Sequence, residues 1–371
     1  MSSVVLDDNS DSIEVEGDGI NDIKEASDAS ASIMKLPEIT DWCSTGIFTL
    51  DLAISNRPEG GIPMGRVVHA FGGGSTAKTV LLTTILGYAI RAGKEAHMAD
   101  VEHTLDPRFA GFYGLDCNSE HLHVHYPETL EQMFDETLAS ILYKSTKKKK
   151  EKGEEKAKMP LDMTPKVIGI DSVTALPSES ELDKAMNEGS YDLSRAKQMS
   201  KGFRKYTFPL ATTGTTLFCI DQTRDAIGVM FGSKEVTSGG RALEFYSSVQ
   251  IHLKHDSNII NTRGVCVGIW VKFKIVKNKV APPFREGRFK ILFDYGIDDI
   301  ASNLYFLMFH EQGEKKAKEK SAKIELFGEE HTQAEWIKTV ERDNLEQKIR
   351  DEVYRVWQDV YRIEDRKQRV W

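Results

Sequence analysis

Eight consecutive residues, Gly72-Gly73-Gly74-Ser75-Thr76-Ala77-Lys78-Thr79, have the make-up of a loop that can hold a phosphate. Glycines let successive backbone N–H groups turn toward one anion, and the N-terminus of a following helix adds partial positive charge. In such a loop Lys78 reaches the β- and γ-phosphates of a nucleotide, and the Thr79 hydroxyl ligates Mg²⁺. Ala77 departs from the GxxxxGK[ST] pattern, which has glycine there. Ordinary helical dihedrals tolerate its methyl, whereas a positive φ makes it costly. A structural Gly-rich turn is the bland alternative.

Two carboxylates sharpen that reading. Val167-Ile168-Gly169-Ile170-Asp171 is an apolar run closing on an acid, the arrangement that holds Mg²⁺ through water on a strand beside the loop. Taken alone, an acid there is as often a turn or cap residue. Glu102, in Asp100-Val101-Glu102-His103, lies just past another β-rich run and is the candidate for activating an attacking water. Its alternative is a surface acid paired with a neighbour.

The elements around these residues alternate between strand and helix patterns. Residues 66–71 form a buried strand leading into the loop, and 78–92 carry Val80, Leu81, Ile85 and Tyr88 at helical spacing. Strands follow at 95–99, 121–126, 166–171, 215–220, 249–254, 268–276 and 288–293. A helix with Leu130, Met133, Phe134, Leu138, Ile141 and Leu142 on one face lies between the third and fourth of these eight strands. The pattern predicts an α/β domain, a mainly parallel central sheet flanked by helices. Residues 223–240 are rich in Gly, Ser and Thr and too long for a simple connection, which marks a functional loop. Residues 144–164, with Lys147–Lys150, are a mixed-charge insertion read as solvated chain. From about Gly313 the chain turns charged and helical, and Ile349, Val353, Val356, Trp357 and Val360 form one face of a last helix.

Composition bounds the rest. The 371 residues hold 49 Lys plus Arg against 57 Asp plus Glu, and ten of the acids with only two lysines fall in residues 1–40. The remainder is therefore neutral and can present a basic face despite the overall charge of −8. Residues 1–31, rich in Ser, Asp and Gly, are too poor in apolar groups to offset the entropy of ordering and are expected to be disordered. No apolar run is long enough to span a membrane and no secretory signal is visible, so the expected location is the cytoplasm, of a bacterium or of a phage host. Cys43, Cys117, Cys219 and Cys266 are far apart and read as reduced packing residues.

The ordered series of short motifs resembles the RecA-type homologous-recombination ATPases, including their phage relatives, over about residues 32–297. Ser44-Thr45-Gly46, Leu50-Asp51-Leu52-Ala53 and Gly61-Ile62-Pro63-Met64-Gly65-Arg66 are similar to the family's approach to the loop. Glu102-His103-Thr104-Leu105-Asp106-Pro107, Ile170-Asp171-Ser172-Val173-Thr174-Ala175-Leu176, Ile227-Gly228-Val229-Met230-Phe231-Gly232 and Val276-Lys277-Asn278-Lys279-Val280-Ala281 are similar to its later signatures. The resemblance implies a RecA-like ATPase core over 32–312 with a small helical C-terminal region over 313–371. It implies that Glu102 is the catalytic glutamate, that Asp106 and Phe109 meet the adenine, and that Gln222 senses the γ-phosphate. It also implies that Lys277 and Lys279 reach the ATP of an adjacent subunit.

Two loops, around 181–193 and 223–240, then line a filament axis and hold single-stranded DNA. Ile227, Gly228, Val229, Met230 and Phe231 are suited to wedging between bases, Gly239 and Gly240 offer backbone amides, and Lys197 and Arg204 contact phosphate. Lys254, Lys272 and Lys274 form a second, weaker DNA site. The implied cofactors are ATP and Mg²⁺. The implied partners are single-stranded DNA, homologous double-stranded DNA, further copies of the chain in a helical filament, and single-strand-binding or mediator proteins. Asp221 stands where the family usually has Asn, Glu244 where a basic interface residue is usual, and the acidic N-terminus replaces an apolar helix. The expected activity is DNA-dependent ATP hydrolysis coupled to homologous pairing and strand exchange. Its rivals are a non-hydrolysing DNA-binding filament or regulator and a hexameric helicase.

Overall fold

In the computed structural model the described residues are 37–144, 159–182, 194–225, 235–237 and 240–362. The expectations for 1–31, 145–158, 183–193, 226–234, 238–239 and 363–371 lie outside them. The described residues from 39 onward cluster as one unit.

The approach to the loop is organised by a buried carboxylate. Asp51 accepts hydrogen bonds from Ser44 Oγ at 2.5 Å, Thr45 N at 2.8 Å and Thr45 Oγ1 at 2.6 Å. It thereby ties the chain after β1 (Trp42–Cys43) to helix α1 (Phe48–Ser55), and β1 pairs with β2 (Ile62–Pro63). Burial pushes the Asp51 carboxyl up to about 7, against the lowering effect of those three donors.

The alternating pattern then gives β3 (Val67–Gly72), α2 (Lys78–Arg91), β4 (Glu95–Asp100), α3 (Pro107–Phe112) and β5 (Leu122–His125). A π-helical stretch, Gln132–Leu138, runs into α4 (Ala139–Leu142), and the six apolar positions read from the sequence are all buried there. After it come β6 (Lys166–Asp171), a 3₁₀ turn Val173–Ala175, α5 (Glu179–Leu182), α6 (Ser194–Thr213), β7 (Thr216–Asp225), β8 (Glu235–Thr237) and α7 (Gly240–Tyr246). The last strands of the sheet are β9 (Val249–Ile260), β10 (Cys266–Asn278), β11 (Glu286–Leu292) and β12 (Gly296–Asp298).

These strands form one sheet in the order β12-β11-β10-β9-β3-β7-β6-β4-β5, with β8 paired to β7. The six strands from β9 to β5 are parallel, and the ladders to β10, β11, β12 and β8 are antiparallel. Successive side chains on a strand point to opposite faces. Ala96, Met98, Phe218 and Ile220 join one core with Leu81, Leu82, Ile85 and Leu86 of α2, while Ala99, Leu217 and Cys219 join the other with Phe134, Phe203 and Tyr206. Each fully buried large apolar side chain contributes roughly 1.5–3 kcal/mol. Gly202 lets α6 close on the π-helical stretch, because a Cβ there would lie 2.4 Å from the Phe134 ring.

Beyond β12 the chain continues through α8 (Asp299–Gln312), α9 (Glu314–Ala317), a hairpin β13 (Lys323–Leu326) and β14 (Glu329–Thr332), α10 (Gln333–Asp343) and α11 (Glu346–Val360). The hairpin adds strand to a stretch read as helical. Ile349, Val353 and Trp357 are buried as expected, but Val360 is 42% exposed, since the last turn runs past the core.

The β4–β5 edge of the sheet carries a cluster of histidines. His121 and His123 hold Glu95 of β4 at 3.0 and 2.9 Å, and His97 meets His125 at 3.1 Å. The H-x-H-x-H alternation over 121–125 is the signal that puts these rings on one face. Among the described residues, no three His, Cys, Asp or Glu groups are placed so as to hold a metal ion.

Candidate active site

The parallel strands deliver their chemistry to one edge, where open α/β sheets place ligands. Gly72 at the end of β3 is in register with Gln222 of β7, and Asp100 at the end of β4 with Asp171 at the end of β6.

The Gly-rich turn joins β3 directly to α2, so the helix N-terminus faces the loop. Gly72 must lack a side chain, because a Cβ would lie 2.2 Å from the Leu253 carbonyl oxygen, whereas Gly73 and Gly74 face open space. Lys78 is 7% exposed and its Nζ donates to the carbonyls of Gly72 at 3.0 Å and Gly73 at 2.6 Å. Burial lowers its pKa, against the pull of Asp171, Glu102 and Asp221. Ala77 has φ 66° and ψ 24°, the left-handed conformation. The alternative of ordinary helical dihedrals is thus ruled out, and the methyl costs on the order of 1–2 kcal/mol.

Opposite the loop sits an acidic corner. Thr79 Oγ1 donates to Asp171 at 2.7 Å. Burial pushes the Asp171 carboxyl up to about 6, and the nearby Glu102 and Asp100 carboxylates add to the rise while Thr79 and Lys78 oppose it. Asp100 is buried and accepts from the backbone of Thr104 at 3.0 Å and Leu105 at 3.1 Å, which fixes the turn carrying Glu102. Glu102 accepts from Ser172 Oγ at 2.5 Å and from Gln222 Nε2 at 3.4 Å. Lys78, Thr79, Asp171, Glu102 and Gln222 therefore meet at one mouth.

The donor set fits Mg²⁺. The Asp171, Glu102 and Asp100 carboxylates gather beside the Lys78 ammonium, and the Asp171 carboxyl is raised first by burial and then by those two acidic neighbours. Mg²⁺ commonly takes one or two protein oxygens and completes its shell with water and phosphate, which Thr79 and Asp171 can supply without a three-ligand cage.

Other sequence candidates fall outside this hydrogen-bonded cluster. Asp106 caps α3, accepts from Arg108 N at 2.9 Å and pairs with the Arg108 guanidinium at 2.8 Å, while Phe109 is 52% exposed with that guanidinium 6.0 Å from its ring centroid. Lys277 Nζ donates to the carbonyls of Glu244 at 2.5 Å and Phe245 at 3.1 Å at the end of α7, and Lys279 is exposed. Lys197 and Arg204 are exposed on α6, and Lys201, unremarked in the sequence, lies between them at helical spacing. Lys254, Lys272 and Lys274 are also exposed, with Lys254 in register with Lys272. Ile227, Gly228, Val229, Met230, Phe231 and Gly239 lie outside the described residues, and Gly240 opens α7. Strand β7 runs on to Asp225, beyond the expected end at 220, and pairs with β8, so the long loop is narrowed at its base.

Arg195 is a further residue the sequence did not single out. Its guanidinium donates to the carbonyls of Val173 at 3.1 Å, Thr174 at 3.2 Å and Leu176 at 3.1 Å, clamping the turn after Asp171.

A model described as the RecA N-terminal domain matches residues 18–298, ending with β12. The chain is 38% identical over 273 residues to Protein RecA of Thermus aquaticus, covering 72% of this chain and 73% of that one. It is 36% identical over 302 residues to Protein RecA of Colwellia psychrerythraea, covering 80% of each. Among solved structures it is similar to the RadB recombinase at 17% identity and a TM-score of 0.47, covering 69% of this chain and 98% of that one. Because the family match spans the whole sheet and the relatives exceed one third identity over most of both chains, the chain belongs to the RecA family of homologous-recombination proteins.

Proposed function

We propose that this chain is a DNA-dependent ATPase that forms filaments on single-stranded DNA, pairs that strand with homologous duplex, and exchanges strands, with ATP turnover promoting release. The observation that carries the reading is the meeting of Lys78, Thr79, Asp171, Glu102 and Gln222 at the carboxyl edge of the sheet.

The amides of residues 73–78 and the Lys78 ammonium hold the phosphates of ATP. Thr79 and Asp171 hold Mg²⁺, which when bound offsets charge on the phosphate oxygens. Glu102, kept in place by Ser172 and Gln222, accepts a proton from the attacking water. Gln222 sits between the catalytic carboxylate and the long loop, so its contact with Glu102 is the point where nucleotide state reaches the DNA-facing segment. Phe109 offers its ring to the adenine, and Asp106 offers a carboxylate once exchanged from Arg108. Lys277 and Lys279 lie apart from their own chain's Lys78 and serve the site of an adjacent protomer, as an arginine finger does.

On the DNA side, Lys197, Lys201 and Arg204 take phosphates, residues 227–231 separate bases, and base pairing itself reads homology. Lys254, Lys272 and Lys274 receive the incoming duplex, and single-strand-binding or mediator proteins act on filament assembly. The test is ATP-dependent joint-molecule formation between a circular single strand and a homologous linear duplex. Joint molecules with ATP and none without it are expected. DNA binding with no joint molecules in either case contradicts the reading.

A further inference from the structure

Beneath the catalytic mouth lies a pair of ionisable side chains to which the reaction assigns no role. His69 of β3 and Asp221 of β7 are both 0% exposed, and His69 Nε2 lies 3.6 Å from Asp221 Oδ2. They are diagonal neighbours on one face of the sheet, since His69 is in register with Cys219 and Phe71 with Asp221. A carboxylate taken wholly out of water is tolerated only when it is paired or protonated. At 3.6 Å the approach is an ion-pair distance, longer than a hydrogen bond, and neither His69 ring nitrogen makes a hydrogen bond among the described residues.

The surroundings connect this pair to the site. Thr174 donates its hydroxyl to the Asp221 carboxylate, and the same Thr174 oxygen accepts from the backbone N–H of Gln222 at 3.4 Å. Arg195 holds the Thr174 carbonyl at 3.2 Å, so that hydroxyl is carried on a clamped turn. Gln222 then reaches Glu102 at 3.4 Å. On the other side, His69 stands three residues before Gly72, on the strand that becomes the phosphate loop.

We propose that His69 and Asp221 are positioning residues, a fully buried pair that packs β7 against β3 and sets, through Thr174, the placement of the Gln222 amide against Glu102. The proposal rests on the reading of Glu102 and Gln222 given above. In this arrangement the pair acts on the step that couples DNA to turnover, because the Asp221 hydrogen bond runs through Thr174 to Gln222, whereas its charge reaches Lys78 only through space.

The experiment compares the full-length wild type with His69→Gln, Asp221→Asn and the double variant. Readouts are kcat and KM for ATP with and without single-stranded DNA. Each single change is expected to lower the DNA-stimulated kcat about tenfold, with KM and DNA-free turnover within about twofold. The double variant replaces the ionisable pair by two neutral hydrogen-bonding groups and is expected to recover to within about threefold of wild type. Losses that multiply in the double variant, equal losses in KM and kcat, or an unchanged Asp221→Asn kcat overturn the proposal.

The pair is also read without turnover, in wild-type protein carrying ¹⁵N-labelled histidine. A slowly exchanging imidazole N–H resonance, absent in His69→Gln and displaced in Asp221→Asn, is expected; its absence from the wild-type spectrum overturns the pair even if a variant fails to fold. Wild-type protein that shows the resonance but no DNA-stimulated turnover overturns the reading of the site, and the positioning role with it.

Discussion

The Thr79 hydroxyl lies 2.7 Å from the Asp171 carboxylate, so the first turn of α2 and the end of β6 meet at the place proposed for Mg²⁺. The Asp171 carboxyl is raised from 3.8 to about 6 by burial and by its acidic neighbours. A raised carboxyl favours the folded chain at low pH, and that contribution is lost as pH rises from about 4 through about 6. A bound cation reverses the preference by favouring the ionised form. The affinity for Mg²⁺ in the presence of nucleotide should therefore fall as pH drops below 6, about tenfold by pH 5. Asp171→Asn should be weaker throughout and flat over the same range. Titration calorimetry from pH 5 to 8 checks both statements.

The left-handed Ala77 makes a second prediction. Replacing it with glycine removes the contact between Cβ and the backbone at a φ of 66°. Ala77→Gly should stabilise the chain by about 1 kcal/mol, after the extra entropy of glycine in the unfolded chain is counted. A higher denaturant midpoint with unchanged slope is the expected result. A lower midpoint would mean that the methyl packs productively.

The sequence revealed the ends of strands better than what lies between them. Lys78 was legible from the Gly-rich loop that precedes it, and Glu102 and Asp171 because each follows or closes an apolar run that marks a buried strand, whose carboxyl end is where a parallel sheet places its ligands. The dihedrals of Ala77 were not legible, since the residue type alone fits either of two backbone regions. The extension of β9 to Ile260 was hidden because the strand leaves the core there and loses its apolar alternation, and that of β7 to Asp225 because its last residues, Thr223-Arg224-Asp225, are polar. The β13–β14 hairpin was hidden by charged residues at its outward positions. The His69–Asp221 pair joins residues 152 apart in sequence, and only the β3–β7 register brings them together.

Lys277 offers a test of the interface. It lies against the end of α7, apart from its own chain's Lys78. Lys277→Ala should bind nucleotide as a dilute protein as the wild type does, and lose at least about a hundredfold of the DNA-stimulated rate. Mixing it with Glu102→Gln should restore part of the turnover, since each variant supplies the group the other lacks. No gain on mixing would place Lys277 outside the neighbour's site.

The exposed face of α6 predicts a salt dependence. If Lys197, Lys201 and Arg204 each hold a phosphate, changing any one to alanine weakens binding to all single-stranded sequences about equally. Each change should lower the slope of log affinity against log salt by about 1. Fluorescence anisotropy with a labelled oligonucleotide at four salt concentrations measures it.

The central claim is tested most directly by ATP hydrolysis with and without single-stranded DNA, for the wild type and for Glu102→Gln. Turnover that rises with DNA in the wild type, and is abolished in Glu102→Gln while nucleotide binding persists, is the predicted result. Wild-type protein that binds DNA and ATP without turning over would contradict it and leave a non-hydrolysing DNA-binding filament.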